Sequence, residues 1–168
     1  MATLGHGWPS ASLPMPGGAG GTADQFRVYQ KEDKPELQRV WAITRALLKR
    51  MNTETQEHGG HFLVFYAPSR VELSPEEWSQ SNIPDTYAAD VVLRRLTDIC
   101  NAEGIALLDP TERFREARKN GPLSYAHDVH WTKAGHRVAA DLLMEYIEKN
   151  GLGKNVPQMR AQNNPIGK

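Results

Sequence analysis

The sequence predicts an α/β fold with a parallel sheet, and two observations support this. Two short apolar runs, at residues 62–67 and 105–108, alternate with amphipathic segments that repeat at helical spacing. Each run is apolar on both faces, as in a strand covered by helices on both sides. The 168 residues suffice for one domain. Because a doubly wound sheet usually has about five or six strands, the sheet is expected to be incomplete at its N-terminal side.

The two ends of the chain differ in composition from its middle. Residues 1–24 are rich in Gly, Pro, Ser and Ala and show no hydrophobic periodicity, which predicts a flexible segment. Residues 151–168 contain Gly, Asn and Pro without a pattern and are expected to form a flexible tail. The α/β domain is therefore expected to occupy residues 25–150.

The first helix is expected to begin at Pro35, which suits the first helical turn, with Asp33 as its cap. The sequence His-Gly-Gly at residues 58–60 should end it. Between these points, apolar side chains and one threonine recur at helical spacing and predict a single buried stripe: Leu37, Val40, Trp41, Thr44, Leu47, Leu48 and Met51.

Two helices are expected between the apolar runs. Residues 74–77, Ser-Pro-Glu-Glu, form a capping box that predicts a short helix. Pro84 and Asp85 are expected to open a longer helix. On the buried face of that helix, Cys100 is expected to behave as a small hydrophobic residue.

The segment after the second apolar run contains a loop between two helices. A polar helix is expected over residues 111–119, and an irregular loop over residues 120–131 follows it. The last helix is expected to start near Thr132. One of its faces is apolar and should be buried: Val138, Ala139, Leu142, Leu143, Tyr146 and Ile147.

Composition and charge argue against several function classes. Twenty basic residues balance twenty acidic ones, so the formal net charge is +0. Nucleic-acid binders need a basic patch, and this neutrality argues against a nucleic-acid partner. No run approaches the roughly 18 apolar residues of a membrane helix, and the start of the sequence does not resemble a signal peptide. One cysteine excludes an internal disulfide, and no compartment is assigned.

The loop before the last helix carries the residues best suited to catalysis. In α/β sheets, side chains that act on ligands lie on loops at the carboxyl ends of strands. A histidine that acts as a general base needs a hydrogen-bond acceptor on its second ring nitrogen. Asp128, two residues before His130, can supply this acceptor and stabilise the imidazolium that forms after proton transfer.

Residues 128–136, Asp-Val-His-Trp-Thr-Lys-Ala-Gly-His, resemble the last block of the SGNH (GDSL-like) hydrolases in its D-x-H-W-x-x-x-G-H form. Residues 62–70 and 103–110 are similar to two strand regions of that family, and the likeness spans about residues 26–150. The resemblance implies a three-layer α/β/α (flavodoxin-like) sandwich. It also implies ester hydrolysis or O-acyl transfer on a small-molecule or carbohydrate acyl ester, without a metal or organic cofactor.

The Gly-Asp-Ser block, which carries the nucleophilic serine in that family, is not found in this sequence. Either the first strands of the sandwich are missing from the chain, or the parent protein orders its blocks differently. The resemblance assigns His130 as the general base and Asp128 as the carboxylate that orients it. The serine that this pair serves is not evident in the chain.

Three further residues are candidates for the site by their positions. Ser69 follows the first strand and is the best in-chain nucleophile, although a serine after Pro68 is also ordinary turn chemistry. Arg70 is a candidate for substrate binding that could pair with an anionic group or with Glu72. Trp131 is expected either to line the pocket or to cover the end of the last helix.

Two other functions stay open. A non-catalytic remnant or binding module would also lack the serine block, and the exposed edges of a short sheet favour self-association. Alternatively, a cluster of histidines and one aspartate could bind a metal and support a metal-assisted hydrolase, although its spacing matches no zinc signature. Its members are His127, Asp128, His130 and His136.

Overall fold

The computed structural model describes residues 27–32, 34–80, 83–125 and 130–152. The segments predicted to be flexible, residues 1–24 and 151–168, lie outside these ranges except for Gly151 and Leu152. Within the described ranges, no helix is long and apolar enough to cross a membrane.

Two parallel strands form the sheet of the described fold. β1 (Leu63–Phe65) pairs with β2 (Ala106–Leu108) in parallel. Parallel strands need a long crossover, which here contains the helices α2 (Pro75–Gln80) and α3 (Val91–Ala102). The prediction of an α/β fold with a parallel sheet is confirmed.

The helix α1 (Pro35–Glu57) precedes the sheet, and its ends follow from the local sequence. Pro35 occupies the first turn, where its missing N–H costs no hydrogen bond. Lys34 is the N-cap residue, and Asp33, the predicted cap, lies outside the described residues. After the helix, Gly59 adopts a φ of +73°, a left-handed conformation that glycine reaches without strain.

The apolar stripe of α1 is buried only in part, so the prediction of a single buried stripe was wrong. Leu37 is buried, and Trp41 and Leu48 are half-buried. Three other members of the predicted stripe are exposed: Val40, Leu47 and Met51. The helix therefore has two adjoining apolar faces, and only one of them packs against the described part of the chain.

The helix predicted to open at Pro84 begins instead at Val91, which corrects that boundary. Tyr87 forms an antiparallel bridge with Gln30, and the Gln30 side chain donates to the Tyr87 hydroxyl over 2.9 Å. These hydrogen bonds join residues far apart in the sequence. The residues directly ahead of Val91 form turns, in which the Tyr87 N–H donates to the Pro84 carbonyl over 2.9 Å and the Val91 N–H donates to the Ala88 carbonyl over 3.3 Å. Tertiary contacts of this kind override local helix signals.

The core connects the sheet to the loop that carries the candidate catalytic residues. Two helices, α4 (Thr111–Arg118) and α5 (Lys133–Lys149), contribute to it. Phe65 of β1 and Trp131, from the loop ahead of α5, pack against one cluster of buried residues. The members of that cluster are Leu73, Phe114, Leu123 and Ala139. A substitution in this cluster would therefore disturb the packing of both the sheet and the loop.

Candidate active site

Ahead of α5, the described residues 124–125 pair with residues 130–131. The Tyr125 N–H donates to the His130 carbonyl over 3.1 Å, and Ser124 and Trp131 form an antiparallel bridge. The side chain of His130 is exposed. We call these described residues, 124–125 and 130–132, the His130 turn.

Only some of the predicted site residues on this turn are placed by the structure. Asp128 and His127 lie outside the described residues, so the pairing of Asp128 with His130 stays a prediction. His136 lies in the first turn of α5 with its ring edge-on to Trp131, 5.7 Å between centroids, which is a packing contact. Among the residues that are described, no group of three or more His, Cys, Asp or Glu side chains is placed to hold a metal ion.

Thr132 connects the His130 turn to α5. Its hydroxyl accepts from the Gly135 N–H over 3.3 Å and donates to the Pro122 carbonyl over 3.0 Å. The Thr132 N–H also donates to the Leu123 carbonyl over 2.8 Å. A threonine at this position satisfies one of the free N–H groups at a helix start. These contacts fix where α5 begins relative to the turn.

Replacing Thr132 by alanine is expected to lower the free energy of unfolding by about 1 kcal/mol. The variant loses both the acceptor for the Gly135 N–H and the hydrogen bond to the Pro122 carbonyl. Urea denaturation followed by circular dichroism measures the change. Thr132→Ser keeps the hydroxyl and should stay close to the wild type. An equal loss in both variants would show that the hydroxyl does not cap the helix.

Trp131 anchors the His130 turn to the core. Its ring lies edge-on to Phe65, with 6.2 Å between centroids, and tilted against Phe114 at 4.9 Å. The side chain is half-buried. The structure thus shows a packing role for Trp131, and its contact with a substrate stays a prediction.

A cavity of about 540 Å³ opens beside the His130 turn. Both arms of the turn line it, through Ser124 and Tyr125 on one side and Thr132 on the other. Arg70, from the segment after β1, also lines it. Small-molecule sites typically have volumes of about 300–1,000 Å³. The cavity is therefore large enough to take a small substrate beside Ser124, Tyr125 and Thr132, although the His130 side chain itself does not line it.

Charged side chains form one wall of this cavity. The Arg70 Nε–H donates to one oxygen of the Glu77 carboxylate over 2.9 Å, and Arg118 donates to the other over 2.5 Å. The structure thus pairs Arg70 with Glu77, whereas the sequence analysis named Glu72 as its protein partner. Two guanidinium groups around one carboxylate leave these three side chains with a net positive charge.

Ser69 lies in a hydrogen-bonded network that follows β1. Its hydroxyl is 3.0 Å from the Tyr29 hydroxyl, and its N–H donates to the buried Glu72 carboxylate. The Tyr66 hydroxyl donates to the same carboxylate. Burial, with the charge of Glu72, raises the pKa of Tyr29 to about 12, so the phenol stays protonated near neutral pH. Tyr29 therefore cannot act as a base toward Ser69.

One known protein family matches most of this sequence. The model of one family, described as the SGNH hydrolase-like domain of the acetyltransferase AlgX, matches residues 23–167. The match covers well over half of the sequence. The chain belongs to this SGNH hydrolase-like family. The resemblance found in residues 128–136 is thereby confirmed at the level of the family.

A solved structure shows the same fold as this SGNH hydrolase-like domain. The O-acetyltransferase domain of Pseudomonas putida AlgJ superposes on the chain with a TM-score of 0.63 at 18% sequence identity. The alignment covers 76% of this chain and 45% of that chain. The chain thus spans less than half the length of the solved structure. No curated protein sequence matches the chain significantly.

Within the SGNH hydrolase-like domain, the His130 turn and Arg70 meet at one cavity, and Ser69 lies in the network with Tyr29. Three other residues that line the cavity were not predicted from the sequence as site residues: Glu77, Arg118 and Tyr125. Glu77 was recognised only as part of a capping box. Its contacts with two arginines depend on tertiary packing, for which the local sequence gives no signal.

Proposed function

We propose that this domain hydrolyses or transfers the acyl group of a small-molecule or carbohydrate acyl ester, with acetyl as the acyl group. The observation that carries the proposal is the cavity beside the His130 turn, in a chain of an acetyltransferase-type SGNH family. The O-acetyltransferase named in the description of the AlgJ domain supports the same reaction class. The proposed chemistry uses no metal or organic cofactor.

The proposed reaction gives each residue one role. A serine hydroxyl attacks the acyl carbon while His130 takes its proton, and Asp128 holds the ring and stabilises the imidazolium. The ester C–O bond then breaks, and His130 returns the proton to the leaving alcohol. Water or a second alcohol attacks the acyl-serine next, again with His130 as the base. Ser69 is the candidate nucleophile within this chain.

Arg70 and Trp131 are proposed to contact the substrate. Arg70 lines the cavity and, together with Arg118, surrounds Glu77 with positive charge, which favours a polar or anionic acyl ester. Trp131 follows His130 directly in the chain, and its side chain is only half-buried. The exposed part of the ring would contact the substrate while the rest packs in the core.

A fluorophosphonate probe tests the serine-dependent chemistry on the purified chain. Because an activated serine hydroxyl attacks the phosphorus and displaces fluoride, a single adduct in the intact mass is the expected result. The adduct should disappear in His130→Ala and persist in His61→Ala, which removes another exposed histidine, located just before β1. Peptide mapping then identifies the serine, and Ser69→Ala tests whether it is the in-chain candidate.

A folded chain that forms no adduct would contradict this proposal. A binding module of the same fold is the second candidate, and one observation favours it: among the described residues, the Ser69 hydroxyl contacts the Tyr29 hydroxyl, which keeps its proton near neutral pH. Such a module would bind an acetylated oligosaccharide without cleaving it. Saturation-transfer NMR with Arg70→Ala as the comparison would test this, and equal signals from both proteins would rule out the cavity as the binding site.

A further inference from the structure

Tyr125 lies directly opposite His130 in the His130 turn. Its N–H donates to the His130 carbonyl over 3.1 Å, next to the antiparallel bridge between Ser124 and Trp131. Side chains that are directly opposite in an antiparallel pair lie on the same face, with Cβ atoms about 4.5–5.5 Å apart. Successive side chains alternate between the two faces. Because Trp131 packs in the core, Tyr125 and His130 are neighbours on the other, exposed face of the turn.

The Tyr125 side chain connects His130 to the cavity of about 540 Å³. Tyr125 lines this cavity and has 54% of its surface exposed, whereas His130 does not line it. A tyrosine carries its hydroxyl at the end of a rigid ring, and the hydroxyl can donate a hydrogen bond. Tyr125 can therefore offer an O–H group to a molecule that occupies the cavity and extends to His130.

Three residues that carry a hydroxyl group line the cavity, and Tyr125 is the best placed of them to bind a ligand. The Thr132 hydroxyl already accepts from a backbone N–H of α5 and donates to the Pro122 carbonyl. Ser124 lies on the face of the turn that Trp131 occupies. The Tyr125 hydroxyl makes no hydrogen bond to another residue in the part of the chain that the structure describes. Its donor is thus available to a ligand.

We infer that Tyr125 is the hydrogen-bond donor to the acyl oxygen, an inference that rests on the proposed function. When the serine oxygen bonds to the acyl carbon, the carbonyl π electrons move to the acyl oxygen, which becomes an oxyanion. The Tyr125 O–H donates to this oxyanion and keeps its proton. When the C=O bond forms again, the ester C–O bond breaks and the leaving alcohol takes the proton from His130. A donor of this kind typically contributes a factor of about 10²–10³ to kcat.

The charge of the cavity wall also favours an oxyanion. Arg70 and Arg118 both pair with Glu77, which leaves a net positive charge on this wall. An anion in the cavity is therefore attracted by the wall and can accept from the Tyr125 hydroxyl. Methylphosphonate is a suitable probe, because its methyl group and anionic oxygens surround a tetrahedral centre, as in the intermediate that an acetyl ester forms.

An NMR titration of the full chain with methylphosphonate, up to about 50 mM at constant ionic strength, tests the inference. The amide signals of the His130 turn should shift to saturation. Tyr125→Phe, which loses only the hydroxyl, should raise the Kd about tenfold, as expected for a hydrogen bond to a charged acceptor. Tyr146→Phe is the matched control, because Tyr146 of α5 lines a different cavity, and it should bind like the wild type. Unshifted signals in the wild type, or equal Kd values for wild type and Tyr125→Phe, would overturn the inference.

The rate of fluorophosphonate labelling separates this inference from the proposed function. Tyr125→Phe should form the adduct about 10²-fold more slowly than the wild type, and Tyr146→Phe at the wild-type rate. Equal rates for wild type and Tyr125→Phe would overturn the role of Tyr125 and leave the proposed function in place. A chain that binds methylphosphonate through Tyr125 but forms no adduct would contradict the proposed function and retain the anion site. Circular dichroism of each variant confirms that the chain is folded.

Discussion

Replacing Phe114 by alanine is expected to lower the free energy of unfolding by about 3–5 kcal/mol. Phe114 is fully buried in a cluster with Leu73 and Leu123, and its ring packs against Trp131 at 4.9 Å between centroids. Truncation removes these contacts and leaves a cavity. Because a domain of this kind is stable by only about 5–15 kcal/mol, the loss is a large fraction of the total. Urea denaturation measures it.

Met144→Ala is the matched control for this variant. It also truncates a large apolar side chain, but Met144 lies on α5 with about half of its surface exposed. Its cost should therefore stay near or below about 0.5 kcal/mol. Similar losses for Phe114→Ala and Met144→Ala would show that the core is not built around Phe114.

A methyl group added at Gly135 is expected to destabilise the domain by about 1–2 kcal/mol. The new Cβ would lie 2.3 Å from the Leu123 carbonyl oxygen and 2.9 Å from Trp131 Cβ. Overpacking typically costs about 1–3 kcal/mol, which exceeds the up to about 1 kcal/mol that alanine gains over glycine within a helix. Because Trp131 belongs to the His130 turn, Gly135→Ala should also displace His130 and lower any activity that depends on it.

Urea denaturation of Gly135→Ala, together with the amide NMR shift of Thr132, measures both effects. Ala134→Ser is the matched control, because it also adds one heavy atom in the first turn of α5 but at an exposed position. It should change the stability by less than about 0.5 kcal/mol and leave the Thr132 shift in place. A Gly135→Ala protein as stable as the wild type would show that α5 does not approach Leu123 so closely.

The glycine of the D-x-H-W-x-x-x-G-H block illustrates what the sequence could and could not predict. The block identified Gly135 as a member of the pattern without giving its physical role. The structure supplies the role, since the first turn of α5 packs directly on the backbone of Leu123. Such a contact joins two segments that only the fold brings together.

Elements with strong local signals were predicted correctly. The capping box gave the start of α2, where the Glu77 N–H donates to the Ser74 hydroxyl. Thr132 indicated the start of α5, where its hydroxyl accepts from the Gly135 N–H. The segment ahead of Val91 and the exposed face of α1 were predicted wrongly. The conformation of the segment ahead of Val91 depends on a bridge to Gln30. The burial of each face of α1 depends on which face finds a packing partner. The local sequence encodes neither contact.

The candidate site also combines residues that a local pattern indicates with residues that only the fold brings together. His130 and Asp128 were predicted from the spacing of one continuous block, and their pairing stays a prediction. The wall of the cavity was not, because Glu77 joins Arg70 and Arg118 across separate elements. Charged residues of this kind are common on surfaces, and only their convergence on one cavity distinguishes them.

The central claim is that Asp128 and His130 act as a pair, and the tautomer of the His130 ring tests it most directly. Long-range ¹H–¹⁵N NMR at about pH 8.5, about two units above the ordinary histidine pKa, distinguishes a proton on Nδ1 from one on Nε2. The account predicts that His130 carries its proton on Nδ1 and loses this preference in Asp128→Ala but not in Asp141→Ala, which removes an exposed carboxylate of α5. An Nε2 proton in the wild type, or the same spectrum in Asp128→Ala, would contradict it.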